Sequence, residues 1–217
     1  MKHILEYAQW VVNEGKVLTP NYHAKGIEIM KGLIDRGFTV NQAAGLVGNM
    51  FQESDLNHKS VAKNGAFGLL QWLSTRKKAE WKYEGINDKT ASNTSLAKQL
   101  DFIKQETTGA ITYPDGHADS YEKGRWNAAV SAVKKGITGK GLKSPDTPAG
   151  WAVAIDEYYV RSGGSSLEVR KEAATRLAEE YNKLVLDTNA PAVQTEPEPG
   201  PAEPINKLPI KPAEPIN

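Results

Sequence analysis

Apolar residues recur every three or four positions along most of the first 186 residues, which is typical of amphipathic helices. At the N-terminus, the apolar positions Ile4, Ala8, Val11 and Val12 fit one helical face. Further helices are predicted at Pro20 to Arg36, Val40 to Asp55, Thr94 to Glu106, Tyr121 to Lys135, Pro148 to Val160 and Leu167 to Leu186. No long run alternates as a strand does, and only Gly65 to Leu73 could form a small hairpin. The sequence therefore predicts a mainly α domain.

Local signals support these boundaries. Thr19 and Pro20 suit an N-cap and a first helical position, and Gly37 suits the left-handed residue after a helix. Thr39 and Gln42 have the spacing of a capping box, in which the two residues bond each other's backbone N–H groups. The polar stretches between these helices, Lys82 to Ser92 and Thr107 to Asp119, are predicted loops.

The chain changes character near residue 187. Eight of its twelve prolines lie between Pro191 and Pro215, and no aromatic residue follows Tyr181. Proline fixes φ and removes a backbone donor, so such a segment resists packing. We expect one domain over residues 1–186 and a disordered Pro-rich tail over residues 187–217. The tail is either a flexible appendage or a tether to a larger assembly.

Composition excludes several kinds of protein. The formal net charge is +1, which gives no basic field to suggest a nucleic-acid partner. There is no cysteine, and the four histidines show no paired ligand spacing, so we expect no metal and no cofactor. No apolar stretch has the length of a membrane span or of a signal-peptide core, so we expect no membrane insertion.

One carboxylate is placed as a catalytic acid should be. The predicted helix Val40 to Asp55 turns Ala43, Ala44, Val47, Met50 and Phe51 inward and ends with Glu53 near the edge of that face, close to Asn49. Partial desolvation there favours the protonated carboxyl. A glycosidase needs such a group to protonate the leaving oxygen. The alternative is an ordinary exposed acid paired with Lys59 or Arg76.

A second segment could shape a glycan cleft. Gly65 and Gly68 permit a close backbone approach, and the Gln71 amide can bond a hydroxyl or acetamido group. Trp72 offers a flat surface for a sugar ring. The alternatives are turn and core packing for Gln71 and Trp72. For Asn49, one helical turn before Glu53, the options are bonding to that carboxylate, to a sugar or to polar backbone.

These motifs together carry a resemblance. Glu53-Ser54 at a helix end, followed by Gly65-x-x-Gly68-Leu69-x-Gln71, resembles the signature shared by lytic transglycosylases and goose-type lysozymes. The fuller pattern also includes Gly45-Leu46-Val47-Gly48-Asn49, Trp72, Arg76, Gln99 to Ile103 before Glu106, and Tyr159 to Gly164 ahead of Arg170. It is most similar to the phage tail lysozyme family, over about residues 25–182. Where relatives commonly show Glu-Arg-Pro-Gly, this chain has Val160-Arg161-Ser162-Gly163, so no acid is carried over to Val160.

The resemblance implies a lysozyme-like helical fold and cleavage of the β-1,4 bond between N-acetylmuramic acid and N-acetylglucosamine in peptidoglycan. It also implies a virion enzyme of the phage tail that opens the host wall during entry, in company with other tail proteins. The family's catalytic glutamate corresponds to Glu53, and its glycine-glutamine turn corresponds to Gly68 and Gln71.

Several alternatives stay open. A second carboxylate could be Asp55, Asp101, Asp156 or Glu157. Without one at a suitable distance, a single-acid mechanism is favoured, in which the muramoyl 6-hydroxyl displaces the bond as in a transglycosylase. The Val160 departure leaves room for a structural tail component that binds glycan without cutting it. The chain could also be an endolysin released by a holin.

Overall fold

A computed structural model describes residues 19–113, 120–162 and 166–189. The predicted N-terminal helix, residues 190–217 of the predicted tail and His117 lie outside the described residues. The last helix runs to Asn189, past the boundary expected after residue 186. No helix in the described part of the chain has the length and apolarity needed to cross a membrane.

Seven α-helices make up the described domain. They are α1 Pro20–Asp35, α2 Val40–Ser54, α3 Ser74–Glu84, α4 Leu96–Thr108, α5 Ser120–Lys135, α6 Pro148–Ile155 and α7 Leu167–Asn189. Extended structure within the described ranges is limited to isolated bridges, two of which, Val61–Phe67 and Phe67–Trp72, fold the predicted hairpin segment into a tight turn. The prediction of a mainly α fold with at most a small hairpin is confirmed.

Helix α2 is the centre of the domain. It packs most extensively against α7 and α6, and also against α1. Every residue from Ala43 to Phe51 is buried, so the single inward face predicted from sequence understates the burial of this helix. A helix that is enclosed all round needs small residues where its neighbours cross, and Gly45 and Gly48 fill that role.

The predicted capping box of α2 is confirmed. Thr39 Oγ1 accepts from the Gln42 N–H at 3.2 Å, and Gln42 Oε1 accepts from the Thr39 N–H at 2.9 Å. Helix α1 begins at Pro20 after an extended Thr19, but the Thr19 side chain makes no capping hydrogen bond. Gly37 has the expected positive φ, 84°, and turns the chain from α1 towards α2.

Besides the end of α7, the sequence-based boundaries are wrong at α3, α4 and α6. Helix α3 was not predicted, and it extends into the expected loop at Lys82 to Ser92. Its buried positions include Arg76, Glu80 and Glu84, so it lacks the apolar stripe by which a helix is recognised. Helix α4 continues two residues into the second expected loop, to Thr108. The predicted helix Pro148 to Val160 is α-helical only to Ile155 and continues as a π-helical segment, Asp156–Val160.

Candidate active site

Glu53 lies in the last turn of α2, where the chain turns sharply away from the helix. Asp55 and Leu56, the first two residues after the helix, have positive φ values of 52° and 57°. The Glu53 side chain keeps 20% of its surface exposed. This carboxylate is therefore neither sealed in the core nor fully surrounded by water, and a substrate can reach it.

The partner of Glu53 is an arginine from the last helix. Arg170 Nη2 donates to Glu53 Oε1 at 2.7 Å, although the Arg170 side chain is only 1% exposed. The same guanidinium donates from Nη1 to Asn49 Oδ1 at 2.9 Å, and its Nε lies 3.5 Å from Asp156 Oδ1. A planar guanidinium can orient several acceptors at once. We call these four residues, Glu53, Asn49, Asp156 and Arg170, the Arg170 cluster.

Two glycines of α2 bring the helices close enough for this cluster to form. A Cβ on Gly48 would lie 2.3 Å from the Arg170 carbonyl oxygen, so α7 crosses α2 with backbone touching backbone. A Cβ on Gly45 would lie 2.7 Å from Trp151 Cβ and 2.9 Å from the Ala152 nitrogen, on α6. Neither crossing has room for a side chain. The position of Arg170 relative to Glu53 is therefore set by backbone contact.

Asn49 is fully buried and its amide is occupied by protein groups. Its Nδ2 donates to the carbonyl oxygens of Gly45, at 2.9 Å, and Ala152, at 3.1 Å, while Oδ1 accepts from Arg170. These contacts agree with the backbone-bonding alternative for Asn49. In this arrangement the residue orients Arg170 and does not face a ligand.

The glycine-glutamine turn is fastened to the end of α2 beside Glu53. Ser54 Oγ lies 2.9 Å from the Leu69 carbonyl oxygen and 3.0 Å from the Met50 carbonyl oxygen, and its one proton is shared between them. On the other side, the Leu69 N–H donates to Gln99 Oε1 at 3.0 Å. Gly68 has a φ of 76°, and a Cβ there would lie 2.8 Å from the same Gln99 oxygen. Only glycine fits both the conformation and the space.

Gln71 and Trp72 play different parts in this turn. Gln71 is half-buried at a φ of 49°, and its Nε2 donates to the Gly68 carbonyl oxygen at 2.9 Å. Trp72 is 1% exposed, and its ring meets that of Phe102 edge-on with centroids 5.3 Å apart. The geometry of Trp72 is that of core packing. Gln71, by contrast, lies at the edge of a cavity.

A cavity of about 450 Å³ opens beside the turn. It is lined by residues 70–76, by Tyr121 and Glu122 of α5, and by Val160 and Arg161 at the end of the π-helical segment. Glu53 is not among the lining residues. The cavity and Glu53 are nevertheless linked by the turn, because Leu70 and Gln71 follow directly on Leu69, to which Ser54 is bonded.

A buried network of charges supports the cavity wall. Arg76 binds Glu106 through two hydrogen bonds, of 2.9 and 2.5 Å, and Tyr113 and Tyr159 donate their hydroxyl protons to the same carboxylate. Burial alone would raise the pKa of Glu106, but the Arg76 guanidinium outweighs it and holds that pKa below its usual value. Breaking such a pair is costly, so the network fixes α3, α4 and the π-helical segment together.

The structure places the four candidates for a second catalytic carboxylate in different surroundings. Asp101 pairs with Arg36 at 2.7 Å, and Glu157 Oε1 accepts from the Lys140 N–H at 3.3 Å. Asp55 is exposed at the end of α2. Asp156 is 3% exposed, accepts from Ser162 Oγ and shares Arg170 with Glu53. Within the described residues, no group of three or more acidic or histidine side chains could hold a metal ion.

Arg170 is the residue of the site whose role the sequence did not reveal. Neither Lys59 nor Arg76, the two partners considered for Glu53, forms its ion pair. A sign was present in the sequence, since Arg170 stands among Val169, Ala173, Ala174 and Leu177 on the buried stripe of α7. A single charge on an apolar helical face requires a buried partner, and Glu53 and Asp156 supply it.

Comparison with known proteins identifies one family. Residues 25–181 match the family described as phage tail lysozyme, which covers well over half of the chain. No curated protein and no solved structure matches it. The match contains Glu53, the glycine-glutamine turn and Arg170, and it supports the role of a lysozyme-like peptidoglycan hydrolase. The chain belongs to the phage tail lysozyme family.

Proposed function

We propose that this protein cleaves the β-1,4 bond between N-acetylmuramic acid and N-acetylglucosamine, with Glu53 as its general acid. The observation that carries the proposal is the pairing of a partly exposed Glu53 with a fully buried Arg170 beside the Gly68–Gln71 turn. An acid held in one orientation at an accessible helix end can deliver a proton to a bound glycan.

In the proposed reaction, Glu53 gives its proton to the glycosidic oxygen as the bond from that oxygen to the anomeric carbon breaks. The sugar left behind has oxocarbenium-like character. Water then adds to the anomeric carbon and returns its proton to Glu53, which gives hydrolysis. If the muramoyl 6-hydroxyl adds in place of water, the same carboxylate takes its proton and the product is an anhydro sugar.

Arg170 positions the acid in this scheme. Its hydrogen bond engages Oε1, which leaves Oε2 to carry the proton towards the substrate. A glycan lying over the exposed side of Glu53 would displace the water there. Once the proton has left, the carboxylate is paired with a guanidinium that is already in place. Asp156 and Asn49 keep that guanidinium oriented.

The proposed substrate contacts lie along the turn. Gln71 would bond a hydroxyl or acetamido group at the edge of the cavity. Gly68 would act on the substrate through the turn, because its open side is filled by Gln99 and Trp72. Asn49 and Trp72 would pack beneath the substrate-binding surface without contacting the glycan, since both are buried. Asp156 is not proposed as a nucleophile, because its carboxylate is buried and engaged by Arg170 and Ser162.

We further propose that the enzyme is part of the virion, in contact with other tail proteins, and opens the host wall locally during genome entry. The family match supports this setting. Mass spectrometry of purified particles would detect the chain if it is a tail component. Its presence only in lysates of late infection would instead identify a holin-released endolysin.

The test of the chemistry is the variant Glu53→Gln on purified peptidoglycan. Loss of an acid catalyst should lower the cleavage rate by roughly 10²–10⁴-fold. Glu168→Gln is a matched control, because Glu168 is 73% exposed on α7 and lies outside the Arg170 cluster. Mass spectrometry of the products separates new reducing ends from anhydro sugars. Equal activity of Glu53→Gln and wild type would remove Glu53 from the mechanism, and binding without any product would identify a non-catalytic tail component.

A further inference from the structure

The cavity beside the turn has a charged wall that the cleavage reaction does not use. Arg161 lines it with a side chain that is 36% exposed, and its Nη2 lies 3.3 Å from Glu122 Oε1. Glu122 is itself only 1% exposed. One member of this ion pair is therefore open to a ligand, and the other is enclosed by protein.

The Arg161–Glu122 pair is poorly compensated. Burial lowers the pKa of Arg161 and raises the pKa of Glu122, so both residues are shifted towards their neutral forms despite their contact. Glu122 is also shared, because Arg76 Nε lies 3.8 Å from the same oxygen. An additional carboxylate against the exposed part of Arg161 would supply hydrogen bonds to a guanidinium that its present partner satisfies only in part.

Other charges at this wall also favour an anion. The Arg125 guanidinium lies 4.3 Å from the ring centre of Tyr121, a second lining residue, and it adds positive potential at Arg161. Helix α3 begins at the cavity, where Leu73 is the N-cap residue and makes no side-chain capping hydrogen bond. The first turn of α3 contains no acid. A helix N-terminus carries partial positive charge and adds to the field of the arginines.

The backbone holds Arg161 in place. Arg161 has a φ of 68°, which is uncommon for a residue with a side chain, and its N–H donates to the Asp156 carbonyl oxygen at 2.6 Å. Asp156 is also the residue whose carboxylate faces Arg170. The guanidinium in the cavity and the Glu53 ion pair are thus fastened to the same residue.

We propose that Arg161 binds a carboxylate carried by the muramic acid side of the glycan, and so selects muramic-acid-containing strands over uncharged amino-sugar polymers. This inference rests on the proposed function, since it takes peptidoglycan as the substrate. Two sources supply the same chemistry: the lactyl group of muramic acid when it bears no peptide, and the acidic residues of an attached stem peptide.

Binding measured without cleavage tests the proposal. The Glu53→Gln variant is titrated calorimetrically with three soluble tetrasaccharides: peptidoglycan with stem peptides, the same strand after an amidase has removed them, and chitotetraose, which has no carboxylate. Adding Arg161→Gln should weaken binding of a carboxylate-bearing sugar by about tenfold, as expected for a lost charge-assisted hydrogen bond. Chitotetraose should bind as before. A loss of affinity for the strand without stem peptides identifies the lactyl carboxylate as the group bound, and a loss for the strand with stem peptides identifies the peptide carboxylate.

A second variant separates recognition from folding. Glu122→Gln removes the carboxylate that competes for Arg161, so it should strengthen binding of the carboxylate-bearing sugars, whereas a general disturbance of the wall would weaken it. Equal weakening of all three sugars by Arg161→Gln, or of none, would overturn the proposal while leaving the proposed function intact. If the Glu53→Gln variant binds no sugar at all, the proposed function itself fails.

Discussion

Arg170 Nη2 lies 2.7 Å from Glu53 Oε1, and this contact joins the end of α2 to the buried face of α7 across 117 positions of sequence. The acid proposed for catalysis is thus oriented by a residue that no substrate touches, because Arg170 is 1% exposed. Both the stability of the fold and the proposed activity depend on Arg170, so variants at the Arg170 cluster should affect both.

Replacement of Arg170 by methionine should destabilise the fold strongly. Asp156 would remain buried without its guanidinium, and breaking a buried ion pair typically costs about 3–5 kcal/mol. Urea denaturation followed by circular dichroism measures the change in the free energy of unfolding. Arg176→Met is the control, since Arg176 is partly exposed and pairs with Glu172 one turn away on the same helix. Similar midpoints for the two variants would contradict the importance of the cluster.

Gly48→Ala should force α2 and α7 apart. The new Cβ would lie 2.3 Å from the Arg170 carbonyl oxygen, and overpacking of this kind costs about 1–3 kcal/mol. Gly124→Ala in α5 is the matched control, because nothing lies within 4 Å of its Cβ. Alanine is the better helix former by about 1 kcal/mol, so this control should gain stability. Opposite signs of the two changes in thermal unfolding are the expected result.

Gly68→Ala should impair activity as well as stability. Its Cβ would lie 2.8 Å from Gln99 Oε1, which holds Leu69, so the turn that presents Gln71 would shift. Gly85 has a similar φ, 74° against 76°, but nothing lies within 4 Å of a Cβ there. Gly85→Ala therefore carries only the conformational strain, about 1–2 kcal/mol. If both variants keep full cleavage rates, the position of the turn does not matter to catalysis.

A buried glutamate makes stability depend on pH. Glu80 on α3 is fully buried, and burial together with the neighbouring Glu84 carboxyl raises its pKa to about 10. The folded protein therefore keeps a proton that the unfolded chain releases near pH 4.5. This contribution to stability is complete below that pH and is lost as the pH rises towards 10, by up to about 1.4 kcal/mol per pH unit.

Glu80→Gln should remove this dependence, because glutamine has the shape of the protonated carboxyl but has no proton to release. The variant should match the wild type near pH 4.5 and become progressively more stable than it between pH 6 and 9. Unfolding midpoints measured across this range provide the test. Glu28→Gln on the exposed side of α1 serves as the control. Parallel pH profiles for wild type and Glu80→Gln would show that the proton is not retained.

The sequence predicted those elements and contacts whose residues are close together along the chain. Helix α2 was predictable because its cap and its apolar residues are adjacent in sequence, and Glu53 follows from the same pattern. Helix α3 was missed because Glu80 and Glu84 occupy its buried side. The partners of Glu84, Thr94 and Ser95, come from the residues just before the next helix. The partner of Glu53 was missed for a similar reason. A residue 117 positions away is a neighbour only after α7 has packed on α2.

The π-helical segment Asp156–Val160 has a consequence for how this enzyme could change. Its bond from the Arg161 N–H spans five residues to Asp156, where an α-helix spans four. A π-helical turn contains one residue more than an α-helical turn, so the residues after it are shifted by one position along the chain. A chain shortened by one residue here would present a different side chain to the cavity. A single insertion or deletion in this segment, and not a substitution, is therefore the smallest change that would move the guanidinium of Arg161 to a new position.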